Sequence, residues 1–119
     1  MKTTSFERAT RAVKCLPFKM KFYKTVSATA MSGKELCESE NWKEFVYAPF
    51  GKERAEAHFR WMIKCGILRR EVDGQGLTDR VRLTPLGLEV MNQWAHDIPR
   101  ASLREKIYEN FRRHSQLNQ

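Results

Sequence analysis

Lys52 to Trp94 reads KERAEAHFRWMIKCGILRREVDGQGLTDRVRLTPLGLEVMNQW, and two changes of period inside it decide the fold. Up to Cys65 the apolar residues Ala55, Phe59, Met62 and Ile63 recur at i, i+4, i+7 and i+8, one stripe along a helix. Gly66 stands where a helix closes on a left-handed residue. From Ile67 the period falls to two. Ile67-Leu68-Arg69-Arg70-Glu71-Val72 reads as a strand, Asp73-Gly74-Gln75-Gly76 as a turn, and Arg80-Val81-Arg82-Leu83 as the returning strand. Thr84-Pro85 then supplies an N-cap and a proline at the first helical position. Leu86, Val90, Met91 and Trp94 line one face of the helix that follows.

Upstream of this stretch, Ser5 is the expected N-cap of a helix with Phe6, Ala9, Val13 and Leu16 at helical spacing, stopped by Pro17. Phe18 to Ala30 predicts a second helix, with Phe18, Phe22, Val26 and Ala30 in steps of four. Ser32-Gly33-Lys34-Glu35 fits a capping box, opening a short helix that ends near Asn41. Trp42 to Phe50 is aromatic-rich and reads as an irregular connection held on the core by Trp42, Phe45, Tyr47 and Phe50. Downstream, Ser102 caps a last helix in which Leu103, Ile107, Phe111 (or Asn110), His114 and Leu117 mark one side. Three segments follow: an N-terminal helix over 1–17, a main domain over 18–98 and a C-terminal helix over 99–119.

A chain of 119 residues, 41% apolar and 30% charged, forms one folded domain. No apolar run approaches the roughly 20 residues that span a bilayer. The first 16 residues hold Lys2, Arg8, Arg11 and Lys14 with no apolar run behind them, unlike a secretion signal. Cys15, Cys37 and Cys65 are far apart and lack metal-site or dithiol spacing, which predicts reduced core thiols in a cytoplasmic protein. His58, His96 and His114 stand apart from them. No nucleophile–base set, phosphate loop or metal-ligand pattern can be assembled, so neither an enzyme, a cofactor nor a bound metal is expected. The net charge is +8, with +6 of it in residues 1–24 and +3 in residues 51–82. An excess of that size points to a polyanionic partner.

Helix, Gly66-Ile67-Leu68-Arg69-Arg70, Asp73-Gly74, Arg80-Val81-Arg82 and Leu83-Thr84-Pro85-Leu86-Gly87 in that order resemble the winged helix-turn-helix superfamily, in particular MarR- and PadR-like bacterial regulators. The resemblance implies a mainly α fold with a small β-hairpin, a winged helix-turn-helix carrying N- and C-terminal helical extensions. It implies a transcriptional regulator of double-stranded DNA whose third helix enters the major groove while the wing meets phosphate. The residues so placed are Lys52, Glu53, Ala57, Arg60 and Lys64 on the helix, and Arg69, Arg70, Arg80 and Arg82 on the wing. Because strand residues alternate in direction, about half of the wing guanidinium groups are expected to face DNA.

A second reading stays open. At 100° per residue the outward face of the third helix also carries Trp61, and its charge is mixed. An exposed Trp is typical of a protein-contact anchor, so a protein–protein module is the alternative to base reading. The basic, aromatic N-terminal third is either an RNA-binding surface or a solvated helix face over buried rings. Leu103, Ile107 and Phe111 either pair across a two-fold axis in a homodimer, joined by Met91 and Trp94, or pack back on the N-terminal helix.

Overall fold

Pro17 is where the chain first departs from a plain run of helices. In the computed structural model, which describes residues 4–117, helix α1 (Ser5–Cys15) ends before it. Pro17 and Phe18 instead lie alongside the connection ahead of the third helix of the pattern: Tyr47 donates its N–H to the Pro17 carbonyl at 3.0 Å, Lys19 donates to the Phe45 carbonyl at 2.8 Å, and Phe18 bridges Val46. The second helix, α2 (Met20–Ala28), therefore starts two residues later than its apolar spacing predicts. The cap of α1 is Thr4 rather than Ser5, its hydroxyl accepting from the Glu7 N–H at 3.1 Å. Lys2 and the side chain of Leu117 lie outside the described residues.

Next comes a strand with no period of its own, β1 (Met31–Ser32), then α3 (Gly33–Glu38). The capping box is present in full, with Glu35 N–H to Ser32 Oγ at 3.0 Å and Ser32 N–H to Glu35 Oε1 at 3.1 Å. The helix stops at Glu38, short of Asn41. A 3-10 turn at Trp42–Glu44 is the regular part of the connection into α4 (Lys52–Lys64).

Gly66 takes φ +83°, as its position after α4 requires. β2 (Leu68–Asp73) and β3 (Gly76–Leu83) form the hairpin, with an irregularity between Arg70 and Val72. Met31 pairs with Val81 and Ser32 with Arg80, so the antiparallel sheet runs β1-β3-β2 with β3 in the middle. α5 (Pro85–Asn92) begins on Thr84, whose hydroxyl accepts from the Gly87 N–H at 3.0 Å. A Cβ on Gly87 would lie 2.5 Å from the Ile67 carbonyl oxygen, so only glycine lets this helix sit against the start of the hairpin. α6 (Leu103–Leu117) is opened by a second reciprocal pair, Ser102 and Glu105.

One core joins these elements. Phe18, Phe22, Tyr23 and Phe59 form its aromatic centre, with Phe18 and Phe22 centroids 4.6 Å apart. Ala9, Ala12 and Val13 of α1 and Val90 and Met91 of α5 belong to the same buried cluster. Met91 is thus committed inside the chain, and Trp94, partly buried, packs against the core.

Candidate nucleic-acid interface

α4 is packed from two sides, and this changes its outward face. Ala55, Phe59 and Met62 fill the core as their spacing predicts. Trp61, expected at the surface, is only 1% exposed. The cause is α6, which lies across it: the guanidinium carbon of Arg112 is 5.0 Å from the indole ring centre and that of Arg113 is 5.9 Å. His58, one turn earlier, is covered by the same helix, with its Nδ1 3.2 Å from Arg113 Nη1. Burial first, then Arg113 and Arg54, push the His58 imidazole down to about 4, so it is neutral near pH 7 and accepts the Arg113 hydrogen bond.

What remains at the surface of α4 is Lys52, Glu53, Arg54, Arg60 and Lys64, with Ala57 half-buried. Glu53, Arg54 and Ala57 face Asn110, Arg113 and His114 of α6 across a groove of about 650 Å³ floored by His58. Arg54 and Arg60 both act on Arg113, whose guanidinium is lowered from the ordinary arginine value by burial and by these two like charges, against the pull of Glu109. Among the described residues none of Arg54, Arg60 and Arg113 is in an ion pair. Arg54 and Arg60 are exposed and present their guanidinium groups to an anion, while Arg113 is half-buried and engaged by His58, Trp61 and the charge of Glu109.

The four arginines of the β2–β3 hairpin divide differently. The register places Arg70 beside Val81 on the inner side of the sheet and Arg69 beside Arg82 on the outer side, with Arg80 two residues from Arg82 on that same side. Arg70 is turned into the molecule, donating to Glu56 of α4 at 3.0 Å and to the Asp79 carbonyl at 2.9 Å. Arg82 binds Glu71 and the Ala28 carbonyl, and Arg80 lies 3.3 Å from Glu35 in an exposed pair. Arg69 is exposed and, among the described residues, outside any ion pair. Three of the four therefore share the outer face, two of them partly neutralised there.

Arg54, Arg113 and His58 escaped the sequence reading. The Arg112-Arg113-His114 run was the available signal, but its place against α4 depends on a contact across 55 residues. The three cysteines, expected in the core, are each only partly buried, and of them Cys65 packs against the core cluster. Burial holds Cys15 and Cys65 up at about 11, and Cys37 is raised as well. Among the described residues no cluster of His, Cys, Asp and Glu has the makings of a metal site, and no helix is long and apolar enough to cross a membrane.

Neither a curated protein nor a solved structure matches this chain. One family model does, over residues 1–113, nearly the whole sequence from α1 into α6. The chain belongs to the Npun_F0494-like family.

Proposed function

We propose that this chain is a winged-helix protein that binds double-stranded DNA as a transcriptional regulator in the cytoplasm. The order helix, short strand, helix, helix, hairpin, with the strands arranged β1-β3-β2, supports the winged-helix reading. In that arrangement α4 is the groove-facing helix and the β2–β3 hairpin is the wing.

The observation that carries DNA binding is the cluster formed by the exposed Arg54 and Arg60 of α4, neither in an ion pair among the described residues, beside the half-buried Arg113. Phosphate accepts from a planar guanidinium through two bonds at once, and adjacent backbone phosphates relieve the repulsion within the cluster. Arg69, Arg80 and Arg82 extend the contact along the sheet. Their carboxylate partners must yield to phosphate, so α4 and α6 carry the larger share. Base reading falls to Lys52, Glu53, Ala57, Arg60 and Lys64. The protein-module alternative loses its main support, because Trp61 is buried.

The test is fluorescence anisotropy with labelled duplex DNA across a salt series. The affinity is expected to fall with salt on a log–log line, with a slope of about −0.9 per phosphate contacted. Arg54→Glu with Arg60→Glu lowers affinity at least tenfold and flattens that slope by about two contacts. Arg70→Gln, turned inward, leaves the slope unchanged. No detectable binding to any duplex at about 50 mM salt, or full binding by the double charge reversal, overturns the reading.

A further inference from the structure

α6 turns Leu103, Ile107 and Phe111 to solvent and lays its other side on α1 and α4. The groove of about 650 Å³ where it meets α4 has the His58 ring at its floor, only 9% exposed. Arg113 fixes the state of that ring. A guanidinium has no acceptor, so the His58 Nδ1 that Arg113 Nη1 meets at 3.2 Å is the bare nitrogen, and the neutral imidazole carries its proton on Nε2. The Phe18 and Phe50 rings, tilted steeply against it with centroids 5.7 and 5.4 Å away, hold it in place. Among the described residues nothing accepts from Nε2–H, and Nε2 is not one of the atoms sealed from solvent. A preset donor opens on the groove with no acceptor of its own.

We propose that this groove binds the phosphoryl group of a small phosphomonoester, through the His58 Nε2–H at its floor and the guanidinium groups of Arg54 and Arg113 at its two sides. Arg54 is exposed on α4 and, among the described residues, makes no hydrogen bond or ion pair. Arg113 commits Nη1 to His58 and lies against Trp61. Its other N–H groups have no hydrogen bond among the described residues, and none is sealed from solvent. Each side chain therefore keeps several N–H groups for an incoming oxygen. Asn110 adds an amide on the α6 side.

The placing of the donors selects the ligand. Two come from facing helices and one from beneath, so they suit oxygens that point in different directions. A tetrahedral phosphoryl group offers these and a planar carboxylate does not. A recessed donor is reached by a terminal group, but not by a phosphate flanked on both sides by sugars. α4 begins on Gly51, which has no side chain to cap the first turn, so the positive end of its dipole lies beside Arg54. A dianion also offsets the crowding at Arg113, which burial and then the charges of Arg54 and Arg60 hold below the ordinary arginine value.

Glu53 is the acid that lines the groove, and it is exposed. It can accept from hydroxyl groups on the organic part of the ester. A volume of about 650 Å³ lies within the range of small-molecule sites and leaves room beyond the phosphoryl group for a part of sugar size. The site shares Arg54 and Arg113 with the DNA reading but does not rest on it, because Arg60, Lys64 and the hairpin arginines lie outside the groove.

Titration of the nitrogen-labelled chain with glycerol 3-phosphate at pH 7, followed by NMR, is expected to move the His58 Nε2 and Asn110 side-chain amide resonances with a Kd of about 0.1–1 mM. Glycerate, the matching carboxylate, and dimethyl phosphate, with the diester chemistry of a nucleic-acid backbone, bind about tenfold more weakly or worse. Arg54→Gln and His58→Phe, which keeps the ring but not the donor, each weaken the ester about fivefold or more, read at Asn110. Arg54 is exposed, so its variant folds whatever the His58 variant does. Lys34→Gln, the same loss of charge on an exposed part of α3, leaves the Kd unchanged. No movement at about 10 mM ester, or a loss in Lys34→Gln as large as in Arg54→Gln, overturns the site. Dimethyl phosphate binding as tightly as the ester overturns it too, and gives the groove to the DNA backbone. Anisotropy with duplex DNA on the same chain scores the DNA reading separately, since either ligand can bind without the other.

Discussion

His58 is neutral near pH 7 because burial, with Arg113 and Arg54 beside it, opposes its protonation. Its pKa is lowered in the folded state from about 6.5 to about 4, so the unfolded chain binds a proton first as pH falls. Stability from this group is complete above about pH 6.5 and is lost on acidification towards pH 4, by roughly 3 kcal/mol. Chemical denaturation at pH 7 and pH 4.5 measures it, and the difference between wild type and His58→Gln isolates it from the carboxylates. Trp61 tests burial more bluntly. Replacing an indole that is only 1% exposed with alanine is expected to cost 3–5 kcal/mol, against roughly 0.5 kcal/mol for a surface site. Urea unfolding of Trp61→Ala distinguishes the two.

At the level of elements, what could be read in advance was whatever a helix or turn specifies within a few residues. The stripe of α4, the Ser32–Glu35 box, the Thr84-Pro85 start and the Ser102 start are all local, and each element stands where its spacing put it. Ser32→Ala removes one side of the box and is expected to cost about 1 kcal/mol, measured as a lowered urea midpoint at constant m-value. β1 escaped because two residues have no period; Met31 and Ser32 become a strand only by pairing with β3 about fifty residues later. Phe18 was drawn into a helix pattern by its spacing, yet its bridge to Val46 holds the chain extended there. Trp61 escaped for the same kind of reason. On a wheel it lies opposite the first core stripe, and nothing near it in sequence announces the guanidinium groups of α6. The hairpin arginines were legible as a group, but their division into inward Arg70 and outward Arg69, Arg80 and Arg82 depends on the register with β3 and on Glu56, Glu71 and Glu35.

Across the whole molecule, the +8 charge is not spread as a uniform coat. Carboxylates pair with Arg70, Arg80 and Arg82 on the sheet and with Lys14 and Arg112 at α6, whereas Arg54 and Arg60 of α4 stand in no ion pair among the described residues. Glu109→Gln, which leaves Arg112 without its partner inside α6, is expected to lower stability by about 2–3 kcal/mol, measured as a lowered urea midpoint. The way α6 is docked has a practical corollary. Cys15 Sγ lies 3.7 Å from the Glu105 carbonyl, and Arg112 reaches Cys65 Sγ at 3.8 Å, so two slow-reacting thiols sit under the edge of a helix tied to α1 by the Lys14–Glu105 ion pair. Their alkylation rates report how often α6 lifts. Raising salt should quicken labelling at these two sites without melting the core, giving the chain its own clock for local opening.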